Sequence, residues 1–276
     1  MEQGPAGAQH VASIDPAEVA FYNQLADTWW DKAGPFWPLH RLNGLRTKWL
    51  LDRLCKHFGL DAEAPRPLTG LSVLDIGCGG GILSVALASL GARVHGIDVT
   101  ERNIFTANHH VSTSAELQDL DIRFDATSAE ELARRGARYD AVLSMEVVEH
   151  VADLQGFISA NCALTRPGGV LALSTINRTL RSWLFAIIGA EYILRWLPQG
   201  THQWSRFPRP GELADLLKSN GLAIDRYTGV AVSPLSRRFS LTSNLAVNYM
   251  LTAKSNPQLR GSESGPVNNT TRGNDK

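Results

Sequence analysis

The stretch Leu71–Gly81, LSVLDIGCGGG, is an apolar run that ends in Asp75 and Ile76 and then opens into four glycines. A short apolar run bounded by glycine reads as a buried strand, and the apolar ILSVALASL that follows reads as a helix. Without a Cβ, a loop of this kind can bring its backbone close to a ligand. Outward from it the pattern repeats. ARVHGIDV, LDIRFDA and YDAVLSM read as strands, separated by helical TERNIFTANHHV and SAEELARR. LQGFISANCALTR then reads as a helix, and VLALSTI as a strand after Pro167-Gly168-Gly169. Such βαβ alternation predicts an α/β fold, a mostly parallel sheet with helices on both faces. Ligands of these sheets bind beyond the carboxyl ends of the strands, where Gly77, Asp98, Asp125 and Glu146 fall.

The loop reads D-x-G-x-G-G-G, which misses the G-x-G-x-x-G spacing of nicotinamide dinucleotide sites. Asp98, about 20 residues on, closes the next strand, where a carboxylate can accept both hydroxyls of a ribose. Asp75 precedes the loop and can meet a cationic amino-acid group. S-adenosylmethionine carries an ammonium, a carboxylate and a ribose together. Beside this stands a steric reading, in which Gly77 and Gly79 serve a tight turn, Asp75 caps the loop and Asp98 closes a strand.

The 276 residues, 43% of them hydrophobic, suffice for a large core. Lys plus Arg and Asp plus Glu both total 27, which gives no pointer to nucleic acid. The charge is unevenly spread, at −7 over residues 1–150 and +7 over 151–276, and a basic face of that kind suits an anionic membrane surface. Cys55, Cys78 and Cys162 lie far apart, which fits a reducing compartment better than disulfides or a zinc site. The N-terminus shows neither the n-region nor the h-region of a secretory signal. Residues 1–14 and 255–276 are polar and read as disordered. Residues 15–254 read as one domain, opened by N-terminal helices over 15–70, including AEVAFYNQLADTWW and PLHRLNGLRTKWLLDRLCKHF.

SMEVVEH places Glu146, Glu149 and His150 at i, i+3 and i+4. If the turn after the strand is helical, they share one face. Three readings stay open: a divalent-cation site, a His150 base steered by a glutamate, and a polar strand ending.

Through VLDIGCGGG, VHGIDV, YDAVLSMEVVEHV and RPGGVLALSTINR the chain resembles the Rossmann-like seven-stranded S-adenosylmethionine-dependent methyltransferases. Through FWPLHRLNGLR, GCGGGILS, STINRT and YILRWLPQGTHQWSRFPRP it resembles more narrowly the ubiquinone-biosynthesis O-methyltransferases, from about Phe21 to Lys254. The resemblance implies O-methylation of catechol-type hydroxyls on polyprenyl intermediates, 3-demethylubiquinol and 2-polyprenyl-6-hydroxyphenol. It implies that Arg46, Gly77, Asp98 and Met145 contact the methyl donor. Asp125, at the end of the third strand, reads either as an acceptor for the adenine amine or as a surface-turn residue. The resemblance assigns Glu146, Glu149 and His150 to Mg²⁺, which would lower the pKa of both catechol oxygens. Other readings are a methyltransferase for another small phenol, a catalytically idle scaffold in a quinone-synthesis complex, and a nicotinamide dehydrogenase.

Between STINRT and THQW, residues 178–208 form a hydrophobic insert rich in Trp, Ile and Leu and flanked by Arg178, Arg181, Arg195, Arg206 and Arg209. Its longest uncharged stretch is too short to span a bilayer, so it reads as an interfacial element or a core helix. His202 and Trp204 are candidates for the acceptor pocket. Peripheral association with the bacterial inner membrane from the cytoplasm is the expected location, with the matrix side of the mitochondrial inner membrane as the alternative.

Overall fold

The computed structural model describes residues 14–16, 19–20, 25–34, 36–179, 207–233, 236 and 238–255. Strands β1 (Ser72–Ile76), β2 (Arg93–Asp98), β3 (Ile122–Ala126), β4 (Tyr139–Met145), β5 (Thr165–Ile176), β6 (Leu222–Ser233), β7 (Arg238–Thr242) and β8 (Asn248–Ser255) form one sheet. Its order is β3-β2-β1-β4-β5-β8-β6-β7. The first five strands run parallel, while β8 lies antiparallel to both β5 and β6. The strands anticipated from the sequence are all present. To the expected seven-stranded sheet the chain adds an eighth, β7, hairpinned antiparallel onto β6 at the edge.

All five β1 residues are buried, as expected of a central parallel strand covered on both faces. Alternate side chains divide between the two layers. Leu74 and Ile76 join a core with Phe157, Ile158, Leu213 and Leu217, from α5 (Leu154–Leu164) and α6 (Pro210–Ser219). Val73 faces the other way, into Trp49, Leu50, Leu54 and Leu87, from α1 (Trp37–Phe58) and α2 (Ile82–Ser89). Helix α3 (Glu101–Thr113) packs Ile104 and Ala107 on Phe124 of β3. The short α4 (Ala129–Arg134) follows β3 and is capped by Ser128 Oγ, which accepts from the Glu131 amide.

Helix α1 ends at Gly59, whose φ of 67° closes it in the left-handed conformation. Most of the insert, 180–206, lies outside the described residues, and with it Arg181, Arg195, His202, Trp204 and Arg206. Its two ends are anchored: Arg178 pairs with Glu212, and the Tyr249 hydroxyl donates to the Pro208 carbonyl at 2.9 Å. Residues 1–13 and 256–276, taken as polar tails, also lie outside the described residues. Among the described residues no helix is long and apolar enough to cross a membrane.

Candidate active site

Strand order reverses at β1, which pairs with β2 on one side and β4 on the other. A cavity of about 350 Å³ opens beyond the carboxyl ends of these strands, at the switch point where open α/β sheets bind ligands. Its size falls in the range of small-molecule sites.

The glycine loop forms one wall. The Gly77 and Cys78 amides both donate to the Ile97 carbonyl, at 2.8 and 3.0 Å, which ties the loop to the end of β2. Gly77 has φ 68°, and a Cβ there would sit 2.6 Å from Val147 Cγ2. A Cβ on Gly79 would enter the Trp29 ring. Glycine is therefore required here both by backbone conformation and by close approach.

Asp98 ends β2 at the cavity wall. Its Oδ2 accepts from the Gly79 amide (3.0 Å), and its Oδ1 accepts from the Thr100 amide (2.8 Å) and from Asn103 Nδ2 (3.3 Å). Burial raises its carboxyl pKa, and the Thr100 and Gly79 amides partly offset this. Asp75 is 2% exposed, and its Oδ2 accepts from Ser84 Oγ at 2.6 Å. Burial pushes its pKa up to about 6, against the Ser84 hydrogen bond and the Arg46 charge.

Arg46 comes from α1, where the buried positions run Leu42, Arg46, Trp49, Leu50 and Leu54. It therefore sits inside the apolar stripe and not on a solvated face. Its guanidinium pairs with Glu146 and donates to Ser174 Oγ at 3.3 Å. Its Nε is buried with no partner, an orphan donor that a ligand carboxylate would satisfy. Ser174 Oγ also donates to Glu146 Oε1 at 2.8 Å. Met145, at the end of β4, is buried and lines the same cavity.

Glu146 has φ 59°, the single positive value outside glycine among the described residues. This left-handed step takes it off a helical path, so it does not share a face with Glu149 and His150. Glu149 is buried and accepts from Thr175 Oγ1 at 2.9 Å. Burial and then the Glu146 charge push its pKa up to about 7, against the neighbouring His150. Among the described residues no three His, Cys, Asp or Glu side chains are arranged to hold a metal ion. The Mg²⁺ set Glu146, Glu149 and His150 therefore does not fit, because Glu146 is turned onto Arg46. All three residues nonetheless line the cavity.

Asp125 also departs from expectation. It is absent from the cavity wall, and its carboxylate lies 2.8 Å from Nε2 of buried His95. On β3 its side chain falls on the same sheet face as His95 and Ile97 of β2, and Thr127 and Ser128, just past the strand, line the cavity instead.

Two residues that line the cavity escaped the sequence reading. Trp29 lies over the glycine loop, and its Nε1 donates to Asn103 Oδ1 at 2.8 Å. The signal for Asn103 was a polar residue on the buried stripe of α3, four before Ala107. For Trp29 it was a Trp pair in an otherwise polar DTWWD.

A methyltransferase-domain model matches residues 48–227. The chain is 49% identical over 242 residues to a ubiquinone biosynthesis O-methyltransferase of Methylobacterium sp. (strain 4-46), covering 88% of this chain and 96% of that protein. It is 46% identical over 248 residues to one of Rhizobium leguminosarum bv. trifolii (strain WSM2304), covering 90% and 97%. Among solved structures it is similar to magnesium protoporphyrin IX methyltransferase from Synechocystis PCC 6803 with bound SAH. The TM-score is 0.58 at 22% identity, covering 85% of this chain and 94% of that one. It is also similar to the Burkholderia thailandensis 1,6-didemethyltoxoflavin-N1-methyltransferase, with TM-score 0.55 at 18% identity, covering 92% and 93%. At these identities the structural likeness concerns the fold.

Proposed function

The chain belongs to the ubiquinone biosynthesis O-methyltransferases, and from that premise we propose how its cavity carries out the reaction. The substrates are S-adenosylmethionine and a catechol-type hydroxyl of a polyprenyl intermediate, 3-demethylubiquinol or 2-polyprenyl-6-hydroxyphenol. The observation that carries this reading is one cavity lined both by the Asp98–glycine-loop wall and by Arg46, Glu149 and His150.

The donor supplies a methyl group already activated on sulfonium. The chain's own residues then bind, orient and move a proton. Asp98 accepts the ribose hydroxyls, and Gly77 and Gly79 let the backbone approach. Arg46 takes the donor carboxylate on its orphan Nε, while Asp75 faces the ammonium. Met145 packs the floor. The acceptor hydroxyl must lose its proton as its oxygen attacks, and Glu149, pushed up to about 7 and beside His150, suits that step near neutral pH. Burial of these groups excludes water and fixes the reacting geometry. No step is routed through a metal, since the described side chains do not converge on one.

The methyltransferase unit spans residues 15–254. The polyprenyl tail of the acceptor suits a peripheral position on the cytoplasmic face of the inner membrane, reached through the insert with its flanking arginines. Cardiolipin vesicles should then sediment the protein; no sedimentation would overturn that placement, and unchanged sedimentation after deletion of 180–206 would overturn the role of the insert.

Mass spectrometry of a demethylated quinol incubated with S-adenosylmethionine tests the activity. A gain of one methyl on oxygen is expected. No transfer to either polyprenyl acceptor, with or without added Mg²⁺, would overturn the assignment. Abolition by chelator with rescue by Mg²⁺ would overturn the metal-free proton transfer.

A further inference from the structure

We propose that Trp29 and Asn103 are positioning residues for the donor site, acting through Asp98 from a segment far upstream of the glycine loop. The proposal rests on the reading above that Asp98 holds the donor ribose.

The chain of contacts is continuous. Trp29 Nε1 donates to Asn103 Oδ1 at 2.8 Å, and Asn103 Nδ2 donates to Asp98 Oδ1 at 3.3 Å. Because the indole has only a donor, it fixes which end of the Asn103 amide faces Asp98. With that orientation lost, an amide oxygen would face the carboxylate and repel it. Trp29 and Asn103 are 7% and 2% exposed, so water does not readily replace either contact.

Trp29 is itself held rigidly. Its ring stacks on Phe36 at 3.8 Å with 2° between planes, and its carbonyl lies 2.8 Å from His40 Nε2 of α1. The ring covers Gly79 and Gly80 so closely that neither could carry a Cβ. Next to it, Trp30 Nε1 donates to the Gly80 carbonyl at 2.9 Å, and its ring stacks on His110 at 3.4 Å. The Trp pair therefore grips the loop whose Gly79 amide supplies Asp98 with its third hydrogen bond. Both routes from Trp29, through Asn103 and through the loop, end on the same carboxylate.

The test uses the full chain and calorimetric affinity for S-adenosylhomocysteine, with steady-state kinetics for donor and acceptor. Trp29→Phe keeps an aromatic ring beside Phe36 and removes the indole N–H. It should weaken ligand affinity and raise donor KM about five- to tenfold, with acceptor KM and kcat at saturating donor within twofold. Asn103→Ala should do the same, and it keeps the test open if Trp29→Phe does not fold. In an Asp98→Asn background either change should add less than twofold, because the link it breaks no longer matters.

Donor affinity within twofold of the parent in both variants overturns the proposal, as does full additivity with Asp98→Asn. Loss of binding stoichiometry with unchanged affinity also overturns it, since that marks misfolding alone. If Asp98→Asn itself leaves affinity unchanged, the ribose reading fails as well. A loss with Asp98→Asn but none with Trp29→Phe or Asn103→Ala removes only the positioning role.

Discussion

Replacing Arg46 by Met removes the guanidinium and keeps the chain's bulk within the α1 stripe of Leu42, Trp49 and Leu50. Two separate losses follow. Glu146 loses its ion partner and keeps Ser174 Oγ. Stripping one partner from a buried pair costs about 3–5 kcal/mol. The Glu146 side chain is 21% exposed, so water tempers this to about 2–3 kcal/mol. For a chain of this size that corresponds to a fall of about 5–10 °C in melting temperature. The second loss is the charge-assisted contact to the donor carboxylate, about 1.5–3 kcal/mol, or about 10- to 150-fold in donor affinity. Adding Glu146→Gln separates the two. The double variant removes both charges, so most of the melting temperature should return while donor affinity stays weak. Differential scanning fluorimetry and calorimetric titration of S-adenosylhomocysteine read the two quantities side by side. The reasoning is refuted if Arg46→Met leaves donor affinity within threefold, or if the double variant restores affinity along with stability.

Burial pushes Asp75 up to about 6, so folding favours its protonated form: its contribution is greatest below the ordinary carboxyl value near 4 and is lost as pH rises through about 6. Asp75→Asn should therefore stabilise the protein at pH 8 by up to about 3 kcal/mol and flatten the melting curve against pH, while weakening the donor; an unaltered pH slope would contradict this. Glu149, pushed up to about 7, is a base only above that value, so kcat should rise through pH 7 and level off. Glu149→Gln should abolish that limb, and a retained limb would move the proton transfer elsewhere. Gly77→Ala drives a Cβ toward Val147 at a φ of 68°, which should cost about 1–3 kcal/mol of stability and most donor binding. Adding Val147→Ala should recover the part due to overlap, and no recovery would leave backbone strain as the whole effect.

Leu71–Gly81 determined much of this protein by itself. A five-residue apolar run ending in glycines has few ways to satisfy its backbone, and repetition of the unit with helices between requires a parallel sheet. That local pattern was enough to put Gly77, Asp98 and Glu146 at the carboxyl ends of the strands, whereas Met145 came from the family resemblance. The β6–β7 hairpin was harder to read, because edge strands are half exposed and show weak periodicity. Arg46 was legible in part: an arginine four after Leu42 and four before Leu50 lies on the stripe that must be buried, but its partner, 100 residues away just past β4, left no local mark. The E-x-x-E-H spacing misled for a definite reason. Sequence spacing assigns a face only if every residue keeps helical φ, and Glu146 is held at φ 59° by Arg46 and Ser174. Asp125 likewise had the right position along β3 and the wrong side of it, where His95 was waiting. The sequence determined the elements and the loop, since those follow from short-range sterics and hydrophobic period. Tertiary structure alone decided which carboxylates face the cavity and which are taken by partners, since Arg46 for Glu146 and His95 for Asp125 come from distant segments that only the fold brings within hydrogen-bond reach.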